Sequence, residues 1–255
     1  MLAELLELAP AGFEQVDGDG FVEFALYGAP GELPDLAAGT AVIGRTEVQV
    51  STTQLADDWG DRWREFHTPV QVGGLYVRPP WCEPLEDGID VVIDPAQAFG
   101  TGAHPTTRLS LELVLDVAAA GEPARMPLVD LGCGSGVLAI AAAKLGFTPV
   151  TALDHDPAAV EATLDNARAN GVTLERVERH DLRTEPAPVA PVMTANLMRP
   201  LLLRVAELMP EQPETLIVSG LLEGEEEVVA TAFEPLRERR RLRLQDWSAL
   251  LLTRP

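Results

Sequence analysis

Apolar and polar positions change rhythm along this chain. In residues 1–56, Leu2, Leu5, Leu6 and Leu8 recur at helical spacing, Phe21–Leu26 and Thr46–Ser51 read as strands, and a Pro/Gly loop runs from Gly28 to Gly39. Trp59, Trp63 and Phe66 then fall at i, i+4 and i+7 on one face of a helix that Asp57 or Asp58 can cap, a stripe suited to docking this module on its neighbour. Pro69, Pro79, Pro80 and Pro84 punctuate a connecting region with a strand at Leu75–Arg78. From residue 89 strands and helices alternate, the pattern of a parallel sheet with helices on both faces. Strands are expected at Ile89–Ile93, Leu128–Leu131, Val150–Asp154, Val192–Asn196 and Thr215–Leu221. Helices are expected over Thr106–Ala119, Val137–Leu145, Pro157–Asn170, Pro200–Leu208 and Gly224–Phe233. The third of these is the best delimited, with Asp156 as N-cap, Pro157 at its first position and Gly171 just beyond its end. Leu236–Gln245 and Trp247–Leu252 are joined too tightly for a crossover helix and are expected to form an antiparallel hairpin at the sheet edge.

Composition narrows the class. A chain of 255 residues with 46% hydrophobic and 23% charged residues can bury a core and suits two units. Its net charge of −21 argues against direct nucleic-acid binding and leaves basic protein partners open. Cys82 and Cys133 make no disulfide framework and sit in no metal-ligand spacing, so no metal is expected and the reading is cytoplasmic. The N-terminal residues carry Glu4 and Glu7 and lack the features of a signal peptide, and no apolar run is long enough to span a bilayer. A monomer is expected.

The sharpest chemical signal is Leu128-Val-Asp-Leu-Gly-Cys-Gly-Ser-Gly136, which leads into the helix from Val137. A buried strand ends in a turn where Gly132, Gly134 and Gly136 let the backbone approach a ligand closely. The next strand ends at Asp154, where a carboxylate can accept hydrogen bonds from both hydroxyls of a ribose. The spacing G-x-G-x-G departs from the dinucleotide fingerprint. Asp130 would sit awkwardly beside a pyrophosphate and suits a cationic ligand. S-adenosylmethionine combines a ribose, an ammonium and a sulfonium.

Asp130-Leu-Gly-Cys-Gly-Ser-Gly136 with Asp154 resembles the cofactor site of the Rossmann-like S-adenosylmethionine-dependent methyltransferases, and the terminal hairpin is similar to their characteristic seventh strand. Phe99-Gly-Thr-Gly-Ala-His-Pro-Thr-Thr-Arg108 and Thr194-Ala-Asn-Leu197 resemble the PrmA family, bacterial methyltransferases of large-subunit ribosomal protein eleven. The resemblance implies an α/β fold with a seven-stranded sheet and a small N-terminal α+β domain. The domain plan it suggests is 1–56 for substrate recognition, 57–92 as linker helix and connecting strands, and 93–255 as the methyltransferase. It also implies that Thr107, Gly132, Asp154 and Asn196 contact the cofactor, and that the loop from Phe99 to His104 closes over it. With Asp130 and Gly134 of the turn, these form the expected cofactor site. The acceptors it implies are lysine side-chain amines and the N-terminal amine of the ribosomal protein. The chain opens inside what resembles the family's first helix, without the strand that usually precedes it.

Each role has its own physical basis. Thr107 lies near a helix start, where a hydroxyl and free N–H groups can hold a carboxylate. Asn196 ends a strand at the carboxyl edge, where its amide oxygen can accept from an incoming amine and aim the lone pair at the methyl carbon. His104 reads better as a loop-ordering partner than as a general base. Asp181 is a weaker candidate for the adenine amino group. Three other readings stay open: a methyltransferase for a glutamine amide, nucleic acid or small amine; a nicotinamide oxidoreductase; and a non-catalytic ribosome-assembly module.

Overall fold

A computed structural model of the chain describes residues 14–18, 21–25, 39–43, 46–51, 67–95 and 102–255. The chain divides into two compact units, Met1–Arg64 and Glu65–Pro255. The expected helices at Leu2–Leu8 and around Trp59–Phe66 lie outside the described residues, as does the segment from Phe99 to Thr101.

In the first unit, β1 (Glu14–Gly18) pairs antiparallel with β2 (Phe21–Ala25), and β3 (Gly39–Ile43) with β4 (Thr46–Val50). β2 and β4 fall where strands are expected, whereas their partners β1 and β3 are additional to the expected elements.

The second unit begins with β5 (Val70–Val72), β6 (Leu75–Arg78) and β7 (Ile89–Val92). Next come α1 (Pro105–Ala120), β8 (Leu128–Leu131), α2 (Val137–Lys144), β9 (Val150–Asp154), α3 (Pro157–Ala169) and β10 (Arg176–Arg179). The chain continues through β11 (Val192–Asn196), α4 (Arg199–Leu208), β12 (Thr215–Leu222), α5 (Glu226–Ala232), β13 (Arg237–Leu244) and β14 (Trp247–Thr253). Seven strands form the main sheet in the order β10-β9-β8-β11-β12-β14-β13. The first five are parallel, and β14 runs antiparallel between β12 and β13.

Two strand assignments change. The run at Ile89–Val92 does not join the main sheet: it pairs parallel with β6 in a separate three-stranded sheet. Val91 and Ile93 are buried against α1 and α2, so the apolar run is real, but its burial is on a different layer. The seventh strand of the main sheet is β10, whose Arg-Val-Glu-Arg sequence is that of a polar edge strand and carries no apolar run to reveal it.

Alternation along the central strands fills both faces, as a sheet covered on two sides requires. Val129, Leu131, Met193, Leu216, Val218, Leu250 and Leu252 join Leu202, Val205, Val229 and Phe233 of the α4–α5 side. Leu128, Val150, Ala152, Val192, Ile217 and Ala249 face Leu109, Leu113, Val114 and Val117 of α1 and Ala139 and Ala142 of α2. The arginine-rich β13 is neutralised locally: Arg240 pairs with Glu112 and Asp116, Arg241 with Glu227 and Glu238, and Arg243 with Glu223 and Glu226.

One irregularity positions the site. The register between β12 and β14 shifts between Ser219 and Leu221. Gly220 at this bulge has φ +86°, and a Cβ there would collide with the Leu197 backbone. The Leu197 N–H donates to the Ser219 carbonyl at 3.0 Å, so the bulge seats the chain directly after β11. Gly220→Ala is expected to destabilise the protein by about 1–3 kcal/mol through left-handed strain and this collision, read as a lower urea midpoint. An unchanged midpoint would show that the two segments move apart freely.

Candidate active site

The carboxyl ends of the parallel strands open on a cleft of about 250 Å³. Its walls include Thr107, Gly132, Gly134, Asp154 and Asn196 of the predicted set, together with His155, His180, Asp181, Leu182, Arg183, Leu197 and Leu201. Phe99 lies outside the described residues.

The glycine turn is held from several sides. Gly132, Gly134 and Gly136 have φ of 72°, 53° and 82°, a conformation that L-residues with side chains rarely adopt. A Cβ at Gly132 would run into the Leu197 side chain, and one at Gly136 into Thr163. The N–H groups of Gly132 and Cys133 donate to the Leu153 carbonyl, at 2.8 and 3.0 Å. The turn's own carbonyls are satisfied from α3: Thr163 Oγ1 donates to Gly134 O at 3.0 Å, and Asn166 Nδ2 to Ser135 O at 2.9 Å. Asn166 Oδ1 also accepts from the Asp94 N–H. Thr163 and Asn166 were missed as positioning residues; their signal is polar side chains buried on the inner face of a helix.

Asp154, 8% exposed, accepts from the Gly134 N–H through Oδ2 at 2.9 Å and from the Asp156 N–H through Oδ1 at 3.0 Å. His155 Nδ1 lies 3.2 Å from Oδ1. The carboxylate is thereby fixed at the cleft wall beside the turn.

Asp130 is placed differently: it is 1% exposed and lies outside the cleft walls. Thr194 Oγ1 donates to its Oδ1 at 2.6 Å, while Oδ2 is buried without a hydrogen-bond partner. Burial pushes its pKa up to about 7, against the opposing pull of the Thr194 hydroxyl and the Ala139 N–H. Because the folded value lies above the ordinary one, the folded state holds this proton more tightly than the unfolded chain. The associated stability is full below the ordinary carboxylate range and is lost as pH rises through about 7. Asp130→Asn is expected to remove this part of the pH dependence, on the order of a few kcal/mol between pH 4 and 8. Parallel urea-unfolding curves for the two proteins across that range would refute it.

The α1 start corrects one detail. His104 is the N-cap, its Nδ1 accepting from the Thr106 N–H at 3.3 Å, and the N–H groups of Thr107 and Arg108 donate to the His104 carbonyl. Pro105 has no N–H, so this helix start has no free amide to offer an anion, and only the Thr107 hydroxyl remains. His104 also packs edge-on against Trp247 with ring centroids 5.1 Å apart, and burial lowers its pKa. It orders the helix start and does not line the cleft.

Asn196, at the end of β11, donates from Nδ2 to Thr107 Oγ1 across 3.5 Å. The amide oxygen is left as the acceptor. Asp181 is engaged by Arg183 through its backbone N–H, Nε and Nη2, and this partner holds its pKa down at about 2.

A turn with three glycines, a carboxylate at the end of β9, an amide at the end of β11 and a hydroxyl in the first turn of α1 line one cleft and suit a nucleoside carrying a cationic amino-acid arm. Among the described residues no group of three or more His, Cys, Asp or Glu side chains comes together to hold a metal, and no helix is long and apolar enough to cross a membrane.

A family model described as ribosomal protein L11 methyltransferase (PrmA) matches residues 28–255. The ribosomal protein L11 methyltransferase of Citrifermentans bemidjiense is 37% identical over 215 residues, 81% of this chain and 70% of that protein. That of Klebsiella pneumoniae is 40% identical over 190 residues, 72% of this chain and 63% of the relative. The crystal structure of a ribosomal protein L11 methylase from Lactobacillus delbrueckii subsp. bulgaricus superposes with a TM-score of 0.64 at 26% identity, covering 73% of this chain and 98% of that one. A Pyrococcus abyssi tRNA (uracil-54, C5)-methyltransferase, solved with S-adenosyl-L-homocysteine, shares the fold at TM-score 0.52 and 21% identity, over 67% of this chain and 43% of its own. The fold class and methyl donor expected from the sequence are borne out, and the chain belongs to the ribosomal protein L11 methyltransferase (PrmA) family of S-adenosylmethionine-dependent methyltransferases.

Proposed function

We propose that this protein transfers methyl groups from S-adenosylmethionine to amines of ribosomal protein L11, at lysine side chains and at the N-terminal α-amine. The carrying observation is that a carboxylate at the end of β9 and an amide at the end of β11 open on one cleft, on either side of the glycine turn. The cofactor, when bound, supplies a methyl group on a positively charged sulfur. Asp154 accepts hydrogen bonds from the ribose hydroxyls. Asp130 lies outside the cleft walls, and an ammonium bound in the cleft would draw its carboxyl, which burial otherwise holds protonated up to about 7, toward the charged form without touching it. The Thr107 hydroxyl donates to the ligand's carboxylate. Asn196 Oδ1 accepts from the incoming neutral amine and aims its lone pair at the methyl carbon. With the cofactor bound, the nitrogen–methyl bond would form in line as the sulfur–methyl bond breaks, leaving S-adenosylhomocysteine and a protonated amine that releases its proton to solvent, and alignment would supply most of the acceleration.

The first unit supplies recognition of the ribosomal protein in this reading, and the acidic charge of the chain favours a basic partner. The enzyme works in the cytoplasm as a monomer. Mass spectrometry of purified ribosomal protein L11 incubated with the enzyme and isotopically labelled S-adenosylmethionine tests the proposal. Labelled methyl groups on lysine and the N-terminus are expected, and an unmodified substrate would refute it. Lys144 is the chain's only lysine, so label found on the enzyme itself would be confined to that residue and its α-amine.

A further inference from the structure

We propose that the exposed side chains of Met198 and Leu222, with the acidic rim around them, form a seat beside the acceptor amide for a lysine-bearing segment of the protein substrate. This rests on the reading above that protein amines are the acceptors, and it gives the second unit a share in recognising them.

The seat stands at the carboxyl ends of two neighbouring parallel strands. Asn196 ends β11, and Met198 follows two residues later at the start of α4, 60% exposed. Leu222 ends β12, three residues beyond Ser219, the register partner of Asn196, and is 44% exposed. Large apolar side chains at scattered surface positions are ordinary. These two differ by place, because both follow closely on the strand ends where an acceptor has to meet Asn196.

Their backbones are tied to each other. Gly220 admits the Leu197 backbone because it has no Cβ, and the Leu197 N–H donates to the Ser219 carbonyl. Glu225 completes the link: its Oε2 accepts from the Leu222 N–H at 3.0 Å, and its Oε1 lies 3.3 Å from Nη1 of Arg199, the residue after Met198. The two apolar side chains are thus offered to solvent from a braced backbone.

The surrounding charge selects the occupant. Arg199, Arg241 and Arg243 pair with Glu223, Glu225, Glu226, Glu227 and Glu238, three cations against five carboxylates. The Glu223 N–H donates to the backbone carbonyl of Asp246, which brings a further exposed acidic residue to the same edge. A lysine-bearing segment matches both features, since its side chains carry methylene stems for the apolar positions and ammonium groups for the carboxylates. An acidic partner would meet like charge here.

Steady-state methylation of purified ribosomal protein L11 by the full chain tests this in the wild type and three variants. The first joins Met198→Gln with Leu222→Gln, the second joins Met198→Leu with Leu222→Met, and the third is Glu223→Arg. The glutamine pair is expected to raise KM for the protein substrate on the order of tenfold, with calorimetric affinity for S-adenosylhomocysteine unchanged. The conservative pair should keep the wild-type KM. Glu223→Arg should raise KM at low ionic strength, an effect that shrinks as salt is added. A wild-type KM in the glutamine pair would overturn the proposal, as would a rise matched by an equal loss of cofactor affinity, which marks a distorted cleft. Sedimentation showing a self-associating wild type and a monomeric glutamine pair would give the surface to a second copy of this chain instead. If the wild type binds cofactor yet leaves L11 unmethylated, the acceptor reading falls and takes the seat with it, whereas L11 methylated with one KM by wild type and glutamine pair removes the seat alone.

Discussion

Asp154→Ala is expected to raise the dissociation constant for S-adenosylhomocysteine on the order of a hundredfold, measured by calorimetry on folded protein. A carboxylate that accepts from both ribose hydroxyls makes two charge-assisted hydrogen bonds, each worth roughly 1.5–3 kcal/mol when nothing replaces it. Partial replacement by water leaves about 2–3 kcal/mol, and each 1.4 kcal/mol is tenfold in affinity. The geometry sharpens the prediction because Asp154 is already held by the Gly134 and Asp156 N–H groups and has little freedom to lose on binding. The substitution also leaves the Gly134 N–H without its partner, so a modest loss of stability accompanies the loss of affinity. Asp154→Asn separates the two effects: its amide oxygen can still accept from Gly134 while the charge is gone, so stability should recover more than affinity does. Unchanged affinity in Asp154→Ala would remove the ribose assignment.

What the sequence disclosed follows from where physical constraint is local. The glycine turn was legible because its three positive-φ positions sit between a buried strand and a helix, and that backbone conformation is a local demand that favours glycine at each. The helix from Pro157 was legible because Asp156 caps it through the Ala158 N–H and Gly171 follows at φ +64°. Sheet membership was not local. Ile89–Val92 has an apolar rhythm suited to either sheet, and its place is set by pairing with β6 and by the hydrogen bonds of Asn166 and Asn170 to backbone at Val92 and Asp94. Arg176–Arg179 becomes a strand because β9 offers it an edge, which its own residues do not announce. Asp130 was chosen as a contact for a cation, and the structure puts it beneath the turn. Its position before the glycines was readable, but its depth depends on Thr194 from a strand 64 residues away.

Asn196→Ala is expected to lower kcat on the order of a hundredfold or more with saturating cofactor, while cofactor affinity falls far less. A misplacement of the nucleophile by about 1 Å is enough for a loss of that size. Asn196 is well placed to prevent it: its backbone is in register with Ser219 of β12, the Leu197 N–H is tied to the Ser219 carbonyl, and its Nδ2 is directed at Thr107 Oγ1. This leaves Oδ1 as a fixed acceptor at the reacting end. Asn196→Asp distinguishes positioning from simple loss of bulk. A carboxylate at the same place would still accept from the amine but would favour its protonated form, which has no lone pair to attack with. Its pH–rate profile should therefore shift to higher pH, with activity partly recovered on the alkaline side, whereas Asn196→Ala should stay low throughout. Wild-type turnover in Asn196→Ala, or identical pH profiles for Asn196→Asp and the wild type, would show that the amine is oriented by some other group.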